Sequence, residues 1–140
     1  MSEGTFQKIR KSAKTLYGPR AALVCGFSSE EQKALMAFMA GIELTDLSVV
    51  FAAEADNETL LKDLVSRPDQ SGKETDSGLA RAIILSGITE EELHRMLSTY
   101  KKLELPRPLW ATLTPYSESW PLSALLEELQ KERMATEQKK

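Results

Sequence analysis

Cysteine and histidine are almost missing from this chain. One thiol, Cys25, excludes an intramolecular disulfide and points to a reducing compartment. One imidazole, His94, leaves too little for a Cys/His metal set. Aromatic residues make up 6% of the sequence, and none interleave Lys101, Lys102 and Arg107 in the way that single-strand nucleic-acid binding requires. No run approaches the roughly 20 apolar residues of a membrane span, and Met1 to Lys14 carries no apolar signal-peptide core. A cytoplasmic protein without membrane association is therefore expected. Gly26 and Gly87 stand alone rather than in a G-x-G-x-x-G, so there is no dinucleotide fingerprint. Gly72-Lys73 is not a P-loop, since no glycine precedes Gly72 by five residues and residue 74 is Glu.

What is present suits one ordinary domain. The chain has 140 residues, 41% of them hydrophobic and 28% charged, which is close to globular averages. The net charge of −3 conceals an uneven distribution. Residues 1–20 carry +4, residues 21–129 carry −9 and residues 130–140 carry +2. The acidic body disfavours nucleic acid as a partner. A basic segment over residues 1–18, where Phe6, Ile9, Ala13, Leu16 and Tyr17 recur at helical spacing, is the only place from which such binding could come.

The apolar pattern alternates short strands with amphipathic helices. Ala21–Cys25 reads as a buried strand stopped by Gly26. Ser28-Ser29-Glu30-Glu31 is a capping box, and the helix after it buries Leu35, Met36, Met39 and Ile42. Leu47–Ala53 is a second strand. Asp56 or Asn57 can cap a helix bearing Leu60, Leu61, Leu64 and Val65, and Pro68 stops it. Residues 66–78 contain no apolar residue and read as a linker or mobile loop. The pattern then restarts. Arg81–Leu85 is a strand, Thr89 to Glu92 a capping box, and Leu93, Met96, Leu97, Tyr100 and Leu103 a helical stripe. Leu109–Thr114 is a strand, and Pro121 opens a last helix with Leu122, Leu125, Leu126 and Leu129 on one face. Residues 135–140 are a polar tail.

Residues 20–44 and 81–105 align without a gap, 61 positions apart, with seven of 25 residues identical. Gly26/Gly87, the capping hydroxyls Ser28/Thr89 and Glu31/Glu92 all coincide. The next strands, from Leu47 and from Leu109, follow after one inserted residue. This is the pattern of a duplication. The expected domain, residues 1–140, thus comprises a first βαβα unit over 20–65 and a second over 80–134. Two such units predict an α/β fold: a four-stranded, mostly parallel sheet flanked by helices. A three-layer sandwich is favoured over a two-layer ferredoxin-like arrangement with an extra helix.

The second unit resembles the bacterial family Domain of Unknown Function 3783. The residues that carry the likeness are Gly87 through Leu93, Leu109 through Pro115, then Ser117, Trp120 and Leu122 to Leu129. The segment TP-x-S-x-x-W, Thr114 to Trp120, is its most specific part and is lacking in the first unit. The resemblance implies a bacterial source and a compact α/β unit, and no activity.

That segment is the candidate site. It leads from a strand end into a helix, where unpaired N–H groups and hydroxyls can hold an anion. Thr114, Ser117, Ser119 and Trp120 are the candidate ligand-binding residues. The plain alternative is that Ser117 or Ser119 caps the helix and Trp120 plugs the core edge. No paired general acid and base is present, so an enzyme is less expected than a binding or protein-interaction module. Cys25 reads as a small buried strand residue, and the glutamates at 30–31 and 90–92 as first-turn complements to helix dipoles. No catalytic residue, metal or cofactor is expected. The partner is a small anionic ligand or a protein, and self-association stays open.

Overall fold

The computed structural model describes residues 15–73 and 77–138. Most of the basic segment at 1–18 lies outside the described residues, as do three residues of the 66–78 stretch. The strands are β1 (Ala21–Cys25), β2 (Ser48–Ala52), β3 (Ala82–Ser86) and β4 (Leu109–Thr112). The helices are α1 (Ser29–Gly41), α2 (Leu61–Leu64), α3 (Glu90–Tyr100) and α4 (Leu122–Gln138).

The strands form one sheet in the order β2-β1-β3-β4. β1 pairs parallel with β2 and β3 parallel with β4, and the two central strands run antiparallel. The sheet is thus mixed rather than mostly parallel. The reason is how the halves meet: each βαβ crossover keeps its own strands parallel, and the two crossovers join head to tail at β1 and β3.

Both central strands are fully buried, because helices cover both faces. Ala22 and Val24 of β1 and Ile83 and Leu85 of β3 pack under α1 and α3, with Leu35, Phe38, Met39, Met96 and Tyr100. Ala21, Leu23 and Cys25 point the other way, with Ala82 and Ile84, against Leu61, Leu64, Leu122 and Leu125 of α2 and α4. The architecture is therefore a three-layer α/β sandwich. On the first face, Phe38, Tyr100 and Trp110 stack edge to face, with ring centres 5.7 and 5.3 Å apart.

The local signals that start each helix act as the sequence implies. Ser28 Oγ accepts from the Glu31 N–H while Glu31 Oε1 accepts from the Ser28 N–H. Thr89 and Glu92 do the same in the second half. Gly26 and Gly87 have φ of 76° and 64°. A Cβ on Gly26 would lie 2.5–2.8 Å from the backbone of residues 79 and 81; on Gly87, 2.5–2.7 Å from that of residues 18 and 19. Glycine is needed at both for conformation and for space.

Positions 61 apart correspond well beyond the aligned segment. β1 and β3 pair Leu23 with Ile84, which are equivalent residues. The registers Ala21↔Ser48 and Ala82↔Leu109 make Ser48 the counterpart of Leu109, so the inserted residue expected before the second strands is not there. Leu61 N–H donates to the Trp120 carbonyl and Leu122 N–H to the Thr59 carbonyl, again a reciprocal pair.

Two elements depart from the expected ones. The helix expected from Asp56 or Asn57 is a 3-10 turn, Glu54–Asp56, followed by the single helical turn of α2. Asp56 accepts from the Ala53 N–H and so caps the earlier turn. The stretch read as a linker is fastened, in its described part, to the outer edge of β2. Val49 N–H donates to Asp69 Oδ1, Gln70 N–H to the Val49 carbonyl, and Phe51 N–H to the Ser71 carbonyl. Gly72, at φ 76°, passes so close that a Cβ would meet the Phe51 oxygen at 2.2 Å.

Candidate functional site

Residues 114–120 form a turn that closes on itself. Thr114 N–H donates to Ser117 Oγ at 3.1 Å, and Ser117 N–H donates to Thr114 Oγ1 at 3.0 Å. The two hydroxyls are 3.1 Å apart and bonded to each other. Glu118 N–H returns to the Thr114 carbonyl and Trp120 N–H to the Ser117 carbonyl. These bonds build a 3-10 turn over Ser117–Ser119. Small hydroxyl residues compete well for nearby backbone groups, so a local closure of this kind follows from the sequence.

The first N–H groups of α4, those facing the loop, are already bonded. Leu122 donates to Thr59, Ser123 to Asn57 and Ala124 to Pro121. The helix start that would attract an anion is thus stitched to the first half. Ser123 Oγ also donates to Glu58 Oε1 at 3.3 Å, which adds a carboxylate beside it.

Of the four candidate residues, Thr114 is half-buried, Ser117 is buried, and Ser119 and Trp120 are exposed. The structure brings Thr114 and Ser117 together and leaves Ser119 and Trp120 on the surface. The residue that sequence reading passed over is Tyr116, which is 85% exposed, against 38% for Trp120. An aromatic between polar residues in a loop was the available signal. Tyr17 joins the site from the other side of the sheet end: its hydroxyl donates to Glu118 Oε1 at 2.8 Å. That bond to a carboxylate raises the Tyr17 pKa above the usual phenol value.

The other chemical candidates lie apart. Cys25 is buried on the α2/α4 face, and burial, with the nearby Asp56 charge, pushes its thiol up to about 12. His94 is exposed on α3, across the sheet. A Cys–His pairing is thereby excluded by topology. Ser86, the counterpart of Cys25, is fully buried with its hydroxyl unpaired. Among the described residues no group of three His, Cys, Asp or Glu is placed to hold a metal.

The glutamates at the helix starts have a further partner that sequence reading missed. Arg20 makes two hydrogen bonds to the Glu92 carboxylate, at 2.9 and 3.0 Å, and Arg81 makes two to Glu31, at 3.0 and 3.2 Å. Each arginine crosses to the capping glutamate of the other half. The arginine bonds, then the capping backbone N–H groups, hold both carboxyls below the usual range. Arg20 also pairs with Asp46 at 2.8 Å. The position equivalent to Asp46 is Arg107, which has no ion-pair partner among the described residues. Arg81 instead lies over the Phe27 ring, 4.7 Å from its centre.

The fold and this loop define a three-layer α/β domain whose second half carries a self-closed strand-to-helix turn with two aromatic rings outside. Residues 81–135 match the model of a family described as domain of unknown function (DUF3783), in line with the resemblance over 80–134. No curated protein and no solved structure matches the chain. No helix among the described residues is long and apolar enough to cross a membrane.

Proposed function

We propose that this protein is a non-enzymatic protein-interaction module of the bacterial cytoplasm, a single domain of two duplicated units that presents the 114–120 loop to a partner. The observation that supports it is the polarity of the loop. Its inward hydroxyls, on Thr114 and Ser117, are spent on shaping the turn, while Tyr116 and Trp120 face outward. Tyrosine and tryptophan are the side chains most enriched at protein interfaces. In this reading Tyr116, Ser119 and Trp120 make the contact. The small-anion reading is weakened by the bonded N–H groups at the start of α4. The repeated spacing of 61 supports the duplication, and the buried thiol suits a reducing compartment.

The test is photo-crosslinking in the native host, with benzoylphenylalanine in place of Tyr116 and, as control, in place of the exposed Lys131. A discrete adduct from position 116 and none from 131 is expected. No adduct, together with thermal stabilisation by inorganic phosphate or nucleotides, would replace the protein partner with a small anion.

A further inference from the structure

The two edge strands are equivalent in position and opposite in treatment. The outward N–H groups of β2, on Val49 and Phe51, are taken by Asp69 Oδ1 and the Ser71 carbonyl. Their counterparts on β4 are Trp110 and Thr112. Leu109 and Leu113 N–H groups donate inward to β3, so those of Trp110 and Thr112 face out, and no described residue accepts from them. β2 is buried at four of its five residues; β4 is half-exposed along its whole length. An apolar edge strand left open is a template for another strand.

The cause lies one residue into the sequence. Pro68 stops the first half's last helix and turns the chain back along β2; its counterpart is Leu129, and α4 runs on past the sheet. Beside the open edge is a hollow of about 420 Å³ lined by Leu97, Leu103, Leu105 and Trp110 with Lys101 and Arg107. The related hollow beside β2 is partly lined by Gln70 and Lys73 of the covering loop.

From this the geometry points to β4 as the docking site for an extended, acidic segment of a partner protein, added as a fifth strand. The covered edge supplies the template: there the first outward N–H goes to a carboxylate and the second to a backbone carbonyl. Transferred to β4, a carboxylate takes the Trp110 N–H near Lys101 and Arg107, and the next backbone carbonyl takes that of Thr112. Apolar side chains of the same segment fill the hollow. A second copy of this chain does not supply that chemistry through its own β4, since Leu109–Thr112 contains no acidic residue. The surface is distinct from the Tyr116 loop, so this inference and the crosslinking result fail separately.

The experiment titrates the full chain with two labelled decapeptides, alternating Val-Asp and alternating Val-Lys, by fluorescence polarisation. The Val-Asp peptide is expected to bind at least about tenfold more tightly, a difference that shrinks with added salt. Thr112→Pro removes one outward N–H from an edge position that tolerates proline, and Arg107→Glu reverses the charge. Each is expected to weaken Val-Asp binding about tenfold or more, with the fold confirmed by circular dichroism. Trp110 and Thr112 amide shifts in NMR would move on titration. Binding of neither peptide up to millimolar concentration, equal binding of both, or binding untouched by Thr112→Pro and Arg107→Glu would overturn the proposal. So would a dimer in light scattering that Thr112→Pro dissociates. If Thr112→Pro fails to fold, Arg107→Glu and the amide shifts decide.

Discussion

β2 and β4 sit at opposite ends of one sheet, each paired in parallel with a central strand and each flanked by a helix on either face. The first is sealed by polar residues of its own chain, and the second is open and carries a tryptophan. The halves are otherwise matched in their strand registers, turn glycines, caps and crossed arginine–glutamate pairs. The contrast shows how little is needed to turn a structural edge into an available one. A proline in place of a leucine decides whether the chain folds back, and an arginine in place of Asp46 decides whether a cation beside the edge has a partner.

The largest test of the correspondence is at the turn glycines. Gly26→Ala and Gly87→Ala each place a Cβ under 3 Å from backbone of the other half, at positive φ. Each is expected to cost roughly 2–4 kcal/mol in urea unfolding. A variant tolerated at one site and ruinous at the other would break the equivalence.

Next come the paired positions Cys25 and Ser86. Cys25→Ser puts a hydroxyl into a fully buried apolar site and is expected to cost about 1–3 kcal/mol. The edge itself is tested by Gly72→Ala. With the Phe51 oxygen 2.2 Å from the added Cβ, the covering loop should lift. Hydrogen exchange at Val49 and Phe51 is then expected to quicken about tenfold or more, toward that of Trp110 and Thr112, an opening eased by about 1.4 kcal/mol. Unchanged exchange would mean that the loop is not what protects β2.

The crossed ion pairs give a smaller, pH-dependent effect. Glu31 and Glu92 have carboxyls held low in the folded state by Arg81 and Arg20. Their contribution is therefore complete above the unfolded carboxylate pKa of about 4.3 and disappears as pH falls through the lower folded values. With solvent screening, each pair is worth about 0.5–1 kcal/mol. Melting temperature is expected to fall on acidification below pH of about 4.3, and by less in an Arg20→Met, Arg81→Met double variant. An undiminished fall would assign the acid sensitivity elsewhere. The smallest effect is a gain: Ser86→Ala removes an unpaired buried hydroxyl and is expected to stabilise by up to about 1 kcal/mol. That sign, opposite to Cys25→Ser, is the sharpest distinction between the two equivalent sites.

Much of this architecture was legible before folding. β1 was readable to the residue, because a buried central strand must be apolar on both faces. The caps were readable because Ser28 and Thr89 each precede a glutamate by three positions. Phe38 and Gln32 were not assigned to the buried face of α1, since a helix stripe is broader than its most obvious spacing. The 66–78 stretch read as a linker because an edge cover works through backbone groups and needs no apolar side chain. At the candidate loop, the hydroxyls were rightly singled out as polar groups in a strand-to-helix turn. That they bond one another, and that Tyr116 stands outside, depended on the turn's curvature.

By itself the sequence determined the elements and their repetition, since caps, glycine turns and apolar periodicity act over a few residues. It also determined the absence of a disulfide. Only the tertiary structure decided that the halves meet antiparallel, that each arginine answers the other half's glutamate, and that one edge is shut while the other is open. Those are contacts between residues tens of positions apart, and no local pattern encodes which of the possible meetings the packed sheet will favour.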